Sequence, residues 1–224
     1  MRGILRVFTI LVWVGIMAAA ERTDALEIAF VLDVSPGMMR HQAFIAEGAR
    51  LATSELSSAD KVAVMTFSSG IRLISGFSDN TREINRAFRS AIRSSIDRPG
   101  KRRLYDAVSN ALEQFPIAAR ENTRRAIAII TNDLDNGSTH QPSDLIREAN
   151  ARGIHLWVFL IDNPYPNATT RQNTGVPAIP YPDVHFAADQ LRPIAAGTGG
   201  EAVIRELNGY VLRQALAACK GDAK

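Results

Sequence analysis

Asp33-Val34-Ser35-Pro36-Gly37 places a carboxylate, a hydroxyl and a Pro-Gly turn within five residues, directly after an apolar run. A serine hydrolase holds its nucleophile in a Gly-x-Ser-x-Gly elbow between strand and helix. Here Asp33 stands where the first glycine belongs, which argues against nucleophilic catalysis. Asp133, Asp135, Asn136 and Gly137 have the composition of a calcium loop. They lack its third acidic position and distal Glu, and read instead as a solvated polar loop at the top of a sheet that also offers contact surface. His41, His140, His155 and His185 are scattered without a pair at metal-ligand spacing. His155 falls inside a strand-like segment and reads as a packing residue. Gly197-Thr198-Gly199-Gly200 follows a helical pattern and precedes a strand, the reverse of the order that binds anions at a helix N-terminus.

The elements that must position these groups alternate in period. Leu26–Leu32 is apolar almost without a break, as expected of a strand buried on both faces of a parallel sheet. Phe44, Gly48, Leu51, Ala52 and Leu56 then recur at helical steps. Lys61–Phe67 and Ile71–Ile74 read as two strands close enough to pair as a hairpin. Asp79 is placed to cap a helix over Thr81–Ile92, and a second helix over Leu104–Phe115 stops at Pro116. Ala126–Ile130 and Ile154–Ile161 are further strands, separated by a helix over Pro142–Arg152 that ends at Gly153. Residues 163–183 carry five prolines without periodicity and read as a long surface loop, either functional or a tolerated insertion. A helix over Ala187–Ala196, a short strand at Ala202–Ile204 and a helix over Glu206–Ala218 complete the chain. The pattern predicts an α/β fold: a doubly wound, mostly parallel sheet with one antiparallel edge strand and helices on both faces.

Composition narrows the class. With 46% hydrophobic and 22% charged residues in 224, the chain has the makings of a single folded domain over residues 21–224. Residues 1–20 have a basic start, an apolar Ile4–Ala20 stretch and the small-residue exit Ala18-Ala19-Ala20. This order predicts a signal peptide cleaved after Ala20, export to the periplasm or medium, and no membrane span thereafter; the alternative is an uncleaved anchor. Taking away Arg2 and Arg6 reduces the formal charge from +3 to +1. The remaining basic clusters have no aromatic interleaving, so nucleic acid is not an expected partner. Cys219 is the sole cysteine, so no internal disulfide can form. It reads as a small, half-buried residue of the last helix, with intermolecular pairing as the alternative.

Four stretches together resemble the von Willebrand factor A family: Val31-Leu32-Asp33-Val34-Ser35, Leu104-Tyr105-Asp106-Ala107, Ile129-Ile130-Thr131-Asn132, and Ile194-Ala195 with Thr198-Gly199-Gly200. The resemblance implies a metal-ion-dependent adhesion site at the carboxyl ends of the strands, built from Asp-x-Ser-x-Ser, a distant Thr and a distant Asp. Carried across, those positions read Asp33, Ser35, Gly37, Arg102 and Asn132, so three of five ligands are changed. Gly37 offers no hydroxyl, Asn132 a neutral carbonyl, and Arg102 a permanent positive charge with donors only. Arg102 either reaches into the vacated position to pair with Asp33 or points to solvent with Lys101 and Arg103. The expected function is a non-catalytic protein-binding domain with no cofactor, whose face comprises Asp33, Ser35, Gly37, Arg102, Asn132, Asp133 and Asp135 and meets a partner's carboxylate. The alternatives are a reduced set of Asp33, Ser35 and Asn132 holding Mg²⁺ weakly, and an enzyme of unknown type for which no acid/base set is evident.

Overall fold

Six strands form one sheet in the order β3-β2-β1-β4-β5-β6, described in a computed structural model over residues 25–93, 100–162, 183–206 and 210–221. The strands are β1 (Ala25–Asp33), β2 (Lys61–Phe67), β3 (Ile71–Ser78), β4 (Thr123–Thr131), β5 (Ile154–Asp162) and β6 (Ala202–Glu206). All neighbours are parallel except β2 and β3, which pair as an antiparallel hairpin at one edge. The proposed signal peptide and all of the proline-rich segment except Asp183 lie outside the described residues.

Strand β1 is central because it is apolar on both faces. Leu26, Ile28, Phe30 and Leu32 pack under α1 (Gln42–Thr53), α2 (Thr81–Arg93) and α6 (Val211–Lys220). Ala29 and Val31 point the other way, under α3 (Leu104–Gln114), α4 (Pro142–Arg152) and α5 (Val184–Ala196). Each fully buried Leu, Ile or Phe removes enough apolar surface from water to stabilise the fold by about 1.5–3 kcal/mol. On the first face Phe30 meets Phe88 edge-on, with ring centroids 5.3 Å apart. Cys219 is buried in the same cluster. Helix α6 is pinned there by Lys220, whose Nζ lies 2.9 Å from Asp60 Oδ2 and donates to the Glu55 carbonyl.

Several local expectations need correction. Helix α2 is capped by Asn80, whose Oδ1 accepts from the Arg82 and Glu83 amides at 3.0 and 3.3 Å; Asp79 is one residue too early. Helix α1 buries Ile45, Gly48, Ala49 and Ala52, a phase that leaves Phe44 44% exposed. A 3₁₀ turn over Pro36–His41 precedes that helix and rotates its face. Strand β6 continues to Glu206, so α6 begins at Val211, later than the sequence suggests. His155 is exposed, and its Nδ1 lies 2.5 Å from the Thr198 carbonyl, bracing the turn into β6 instead of packing in the core. At Gly200 in that turn a Cβ would overlap the Leu156 carbonyl, so the close approach of β5 requires glycine.

Candidate functional site

The chain winds one way from β1 to β2 and β3 and the other way through β4, β5 and β6. The switch point lies at the carboxyl ends of β1 and β4, where open α/β sheets form a crevice. Asp33 ends β1, Thr131 ends β4, and both are buried there. Thr131 Oγ1 donates to Asp33 Oδ2 at 2.7 Å, and the Ser35 amide donates to Asp33 Oδ1 at 2.8 Å. Burial nevertheless prevails over these donors and the nearby guanidinium, pushing the Asp33 carboxyl above the usual carboxylate range.

Arg102 turns inward. Its side chain is only 16% exposed, with Nε 3.6 Å from Asp33 Oδ2 and 3.3 Å from Ser35 Oγ, to which it donates. Its short bond goes elsewhere: Nη1 donates to Asp133 Oδ2 at 2.6 Å. Of the two orientations that the sequence left open, Arg102 takes the inward one, as a clamp shared between Asp33 and Asp133 instead of a fork on Asp33 alone. The backbone holds the arginine in place. The Arg102 amide donates to Asn136 Oδ1, the Asn136 amide donates back to the Arg102 carbonyl, and the Arg103 amide donates to the Ser68 carbonyl.

Gly37 faces the same cluster. An ideal Cβ there would lie 3.2 Å from Asn132 Nδ2 and 3.3 Å from Arg102 Nη2. Asn132 is buried, and its Oδ1 has no hydrogen-bond partner among the described residues. Asp33, Ser35, Gly37, Arg102, Asn132 and Asp133 are therefore gathered at one place. Asp135 is not aimed into it: Oδ1 accepts from the Tyr105 amide at 3.2 Å and from Ser138 Oγ at 2.5 Å, tying the β4–α4 loop to the start of α3. This loop is half-buried and internally bonded, not the freely solvated segment its composition suggests.

Sequence reasoning missed the group that fastens this loop. Asp106, buried in the first turn of α3, accepts at Oδ1 from the Thr139 amide and hydroxyl, the His140 amide and His140 Nδ1, the last at 2.7 Å. Its Oδ2 accepts from Arg103 Nε at 2.8 Å. Burial pushes the Asp106 carboxyl up, but the His140, Arg103 and Thr139 donors outweigh it and hold it well below the ordinary range. His140 Nε2 lies 3.2 Å from Ser109 Oγ, completing a Ser-His-Asp series. Ser109 is buried in a continuous helix, so the series clasps the loop to α3 and presents no exposed nucleophile. The only sequence signal was the Leu104-Tyr105-Asp106-Ala107 stretch itself.

Residues 28–135 match the family model of the von Willebrand factor type A domain. No curated protein matches the sequence. Among solved structures, the conserved hypothetical protein BatB from Bacteroides thetaiotaomicron superposes with a TM-score of 0.65 at 18% identity, covering 88% of this chain and 98% of its own. An aerotolerance-related membrane protein from Bacteroides fragilis NCTC 9343 gives 0.63 at 16% identity, covering 88% and 100%. A von Willebrand factor type A protein from Catenulispora acidiphila gives 0.60 at 14% identity, covering 89% of this chain and 43% of that one. With residues 28–135 matching the family model from the central strand through the Arg102 clamp, and the six-stranded sheet and its flanking helices shared with these structures, this chain has the von Willebrand factor type A fold.

Proposed function

We propose that this chain is an exported, non-catalytic protein-binding domain whose contact face is the strand-end cluster of Asp33, Ser35, Gly37, Arg102, Asn132 and Asp133, organised by an internal guanidinium in place of a tightly bound metal ion. The position of Arg102 carries this reading. A divalent cation seated on Asp33 and Ser35 would share both with a fixed positive charge whose Nε already lies 3.6 and 3.3 Å from their oxygens. Repulsion between the two charges and the lack of a hydroxyl at Gly37 make the residues present a poor fit for such an ion. They suit an anion better. The groups nearest the space beside Gly37 are Arg102 Nη2 and Asn132 Nδ2, both donors, and a partner's carboxylate entering there would meet the two together.

One observation favours a second reading, in which Asp33, Ser35 and Asn132 hold Mg²⁺ weakly: the Asn132 Oδ1 is buried and unpartnered among the described residues. Thermal melts of the purified chain with excess Mg²⁺, Mn²⁺ or Ca²⁺, and again with EDTA, separate the two. We expect superimposable curves. An ion that binds only the folded state would add about 2.7 kcal/mol at a hundredfold excess over its dissociation constant, and a rise of that kind would restore the metal site.

Export rests on the basic, apolar and small-residue order of residues 1–20, and similarity to a protein described as a membrane protein supports an envelope setting. Among the described residues no helix is long and apolar enough to cross a membrane. The mass of the exported chain should correspond to a start at Glu21; an intact Met1 chain in the membrane fraction would instead identify an uncleaved anchor.

A further inference from the structure

Helices α1 and α2 lie side by side on one face of the sheet and leave between them a groove of about 610 Å³. Its walls are basic: Arg82, Arg86 and Arg89 enter from α2 and Arg50 from α1. Arg82, Arg86 and Arg89 recur at steps of four and three residues, which places them on one stripe of the helix, and all three are exposed. Elsewhere on the surface arginines sit on carboxylates of their own helix, as Arg147 does on Asp144 at 2.7 Å and Arg192 on Asp189 at 2.5 Å. Arg82, Arg86 and Arg89 have no such partner among the described residues. The groove's one carboxylate, Glu47, is taken by Arg50 at 2.6 Å. The one acid of α2, Glu83, accepts from Ser78 Oγ at 2.7 Å.

We propose that this groove binds an acidic peptide segment of a partner protein, with its Asp or Glu carboxylates forked by Arg82, Arg86 and Arg89. Guanidinium forks match planar carboxylates, and three unpaired ones in a row supply a repeating site instead of a single contact. The spacing suits such a guest. Along α2 the successive arginines advance by about 6 and 4.5 Å, while alternate side chains on one face of an extended peptide lie about 6.6 Å apart. Ala43 and Ala46 line the α1 side, and their small side chains let a peptide backbone settle between the helices. No aromatic or large aliphatic side chain lines the groove, so it offers neither a stacking platform for bases nor an apolar wedge for lipid chains. A concave cleft also serves a peptide better than a flat bilayer. The groove is separate from the strand-end face, so either site stands if the other fails.

The test is fluorescence anisotropy of a labelled octaglutamate peptide titrated with the purified chain at low salt. Binding should weaken steeply with added salt, and the triple substitution Arg82→Ala, Arg86→Ala and Arg89→Ala should reduce affinity at least tenfold. Arg192→Ala, on the opposite helical layer, should leave it unchanged. Alanine is favoured at exposed helix positions, so the triple variant should keep its circular dichroism and melting temperature. Equal binding by the triple variant and the parent, or absence of peptide binding, would overturn the proposal. So would binding confined to phosphatidylglycerol vesicles, which would assign the arginines to a membrane surface.

Discussion

Glu27→Ala should destabilise the fold by about 3–5 kcal/mol, because it strips the counter-charge from an arginine that cannot reach water. Glu27 and Arg125 are directly opposed on β1 and β4, and both are 2% exposed. Arg125 Nε lies 3.3 Å from Glu27 Oε2, and its Nη2 donates to the Pro116 and Ala118 carbonyls at 2.9 and 2.8 Å. Arg120 adds a second, half-exposed guanidinium on Glu27 Oε1 at 3.1 Å. Charges taken out of water are tolerated only while paired, so losing one partner is far worse than losing both. Urea denaturation should therefore show a large fall in midpoint for Glu27→Ala and a much smaller one for Glu27→Leu combined with Arg125→Met. Comparable losses in the single and double variants would mean that the pair is not energetically coupled.

The Asp106 clasp should be nearly as costly to remove. Asp106→Ala leaves the donors of Thr139, His140 and Arg103 without their shared acceptor, and a loss of roughly 3 kcal/mol is expected from bonds to a charged group. For a chain of this size that corresponds to a melting-temperature drop of about 6–12 °C. The pH dependence has a definite sign. A carboxyl held below its unfolded value contributes stability that is complete above the ordinary range near 3.8 and drains away as pH falls toward the lowered value. Parent and Asp106→Asn chains should therefore differ most at neutral pH and converge in acid. A gap that stays constant down to pH 2 would show that the carboxylate's charge contributes nothing and only its shape matters.

These two clusters also mark where the sequence stopped being readable. Strand β2 and helix α4 have the bounds expected, because doubly buried strands print as apolar runs and α4 opens on Pro142 and closes on Gly153 at φ +62°. The strand-end position of Asp33 follows from the same local pattern. Pairings between distant residues leave no such trace. Arg102 reaches Asp133 across 31 positions, Asp106 reaches His140 across 34 and Thr131 reaches Asp33 across 98. The family resemblance placed Arg102 near Asp33, but only the fold of the loop after β4 brings Asp133 closer. Glu27 was hidden inside Leu26–Leu32, where one charged residue in an apolar run gives no hint of its partner. The capping error at Asp79 has a smaller cause: neighbouring Asp and Asn are equally good caps, and β3 extends to Ser78, leaving Asn80 as the residue before the first helical turn.

The lone thiol under α6 turns this domain into its own stopwatch. Cys219 is sealed in the core, and burial pushes the thiol well above the range in which a reactive thiolate exists. An alkylating reagent can modify it only in molecules whose last helix has lifted off the sheet. With no second cysteine in the chain, each labelled molecule registers one such excursion and nothing else. The pace of labelling under native conditions therefore times the release of α6 from Asp60 and Glu55, without any engineered probe.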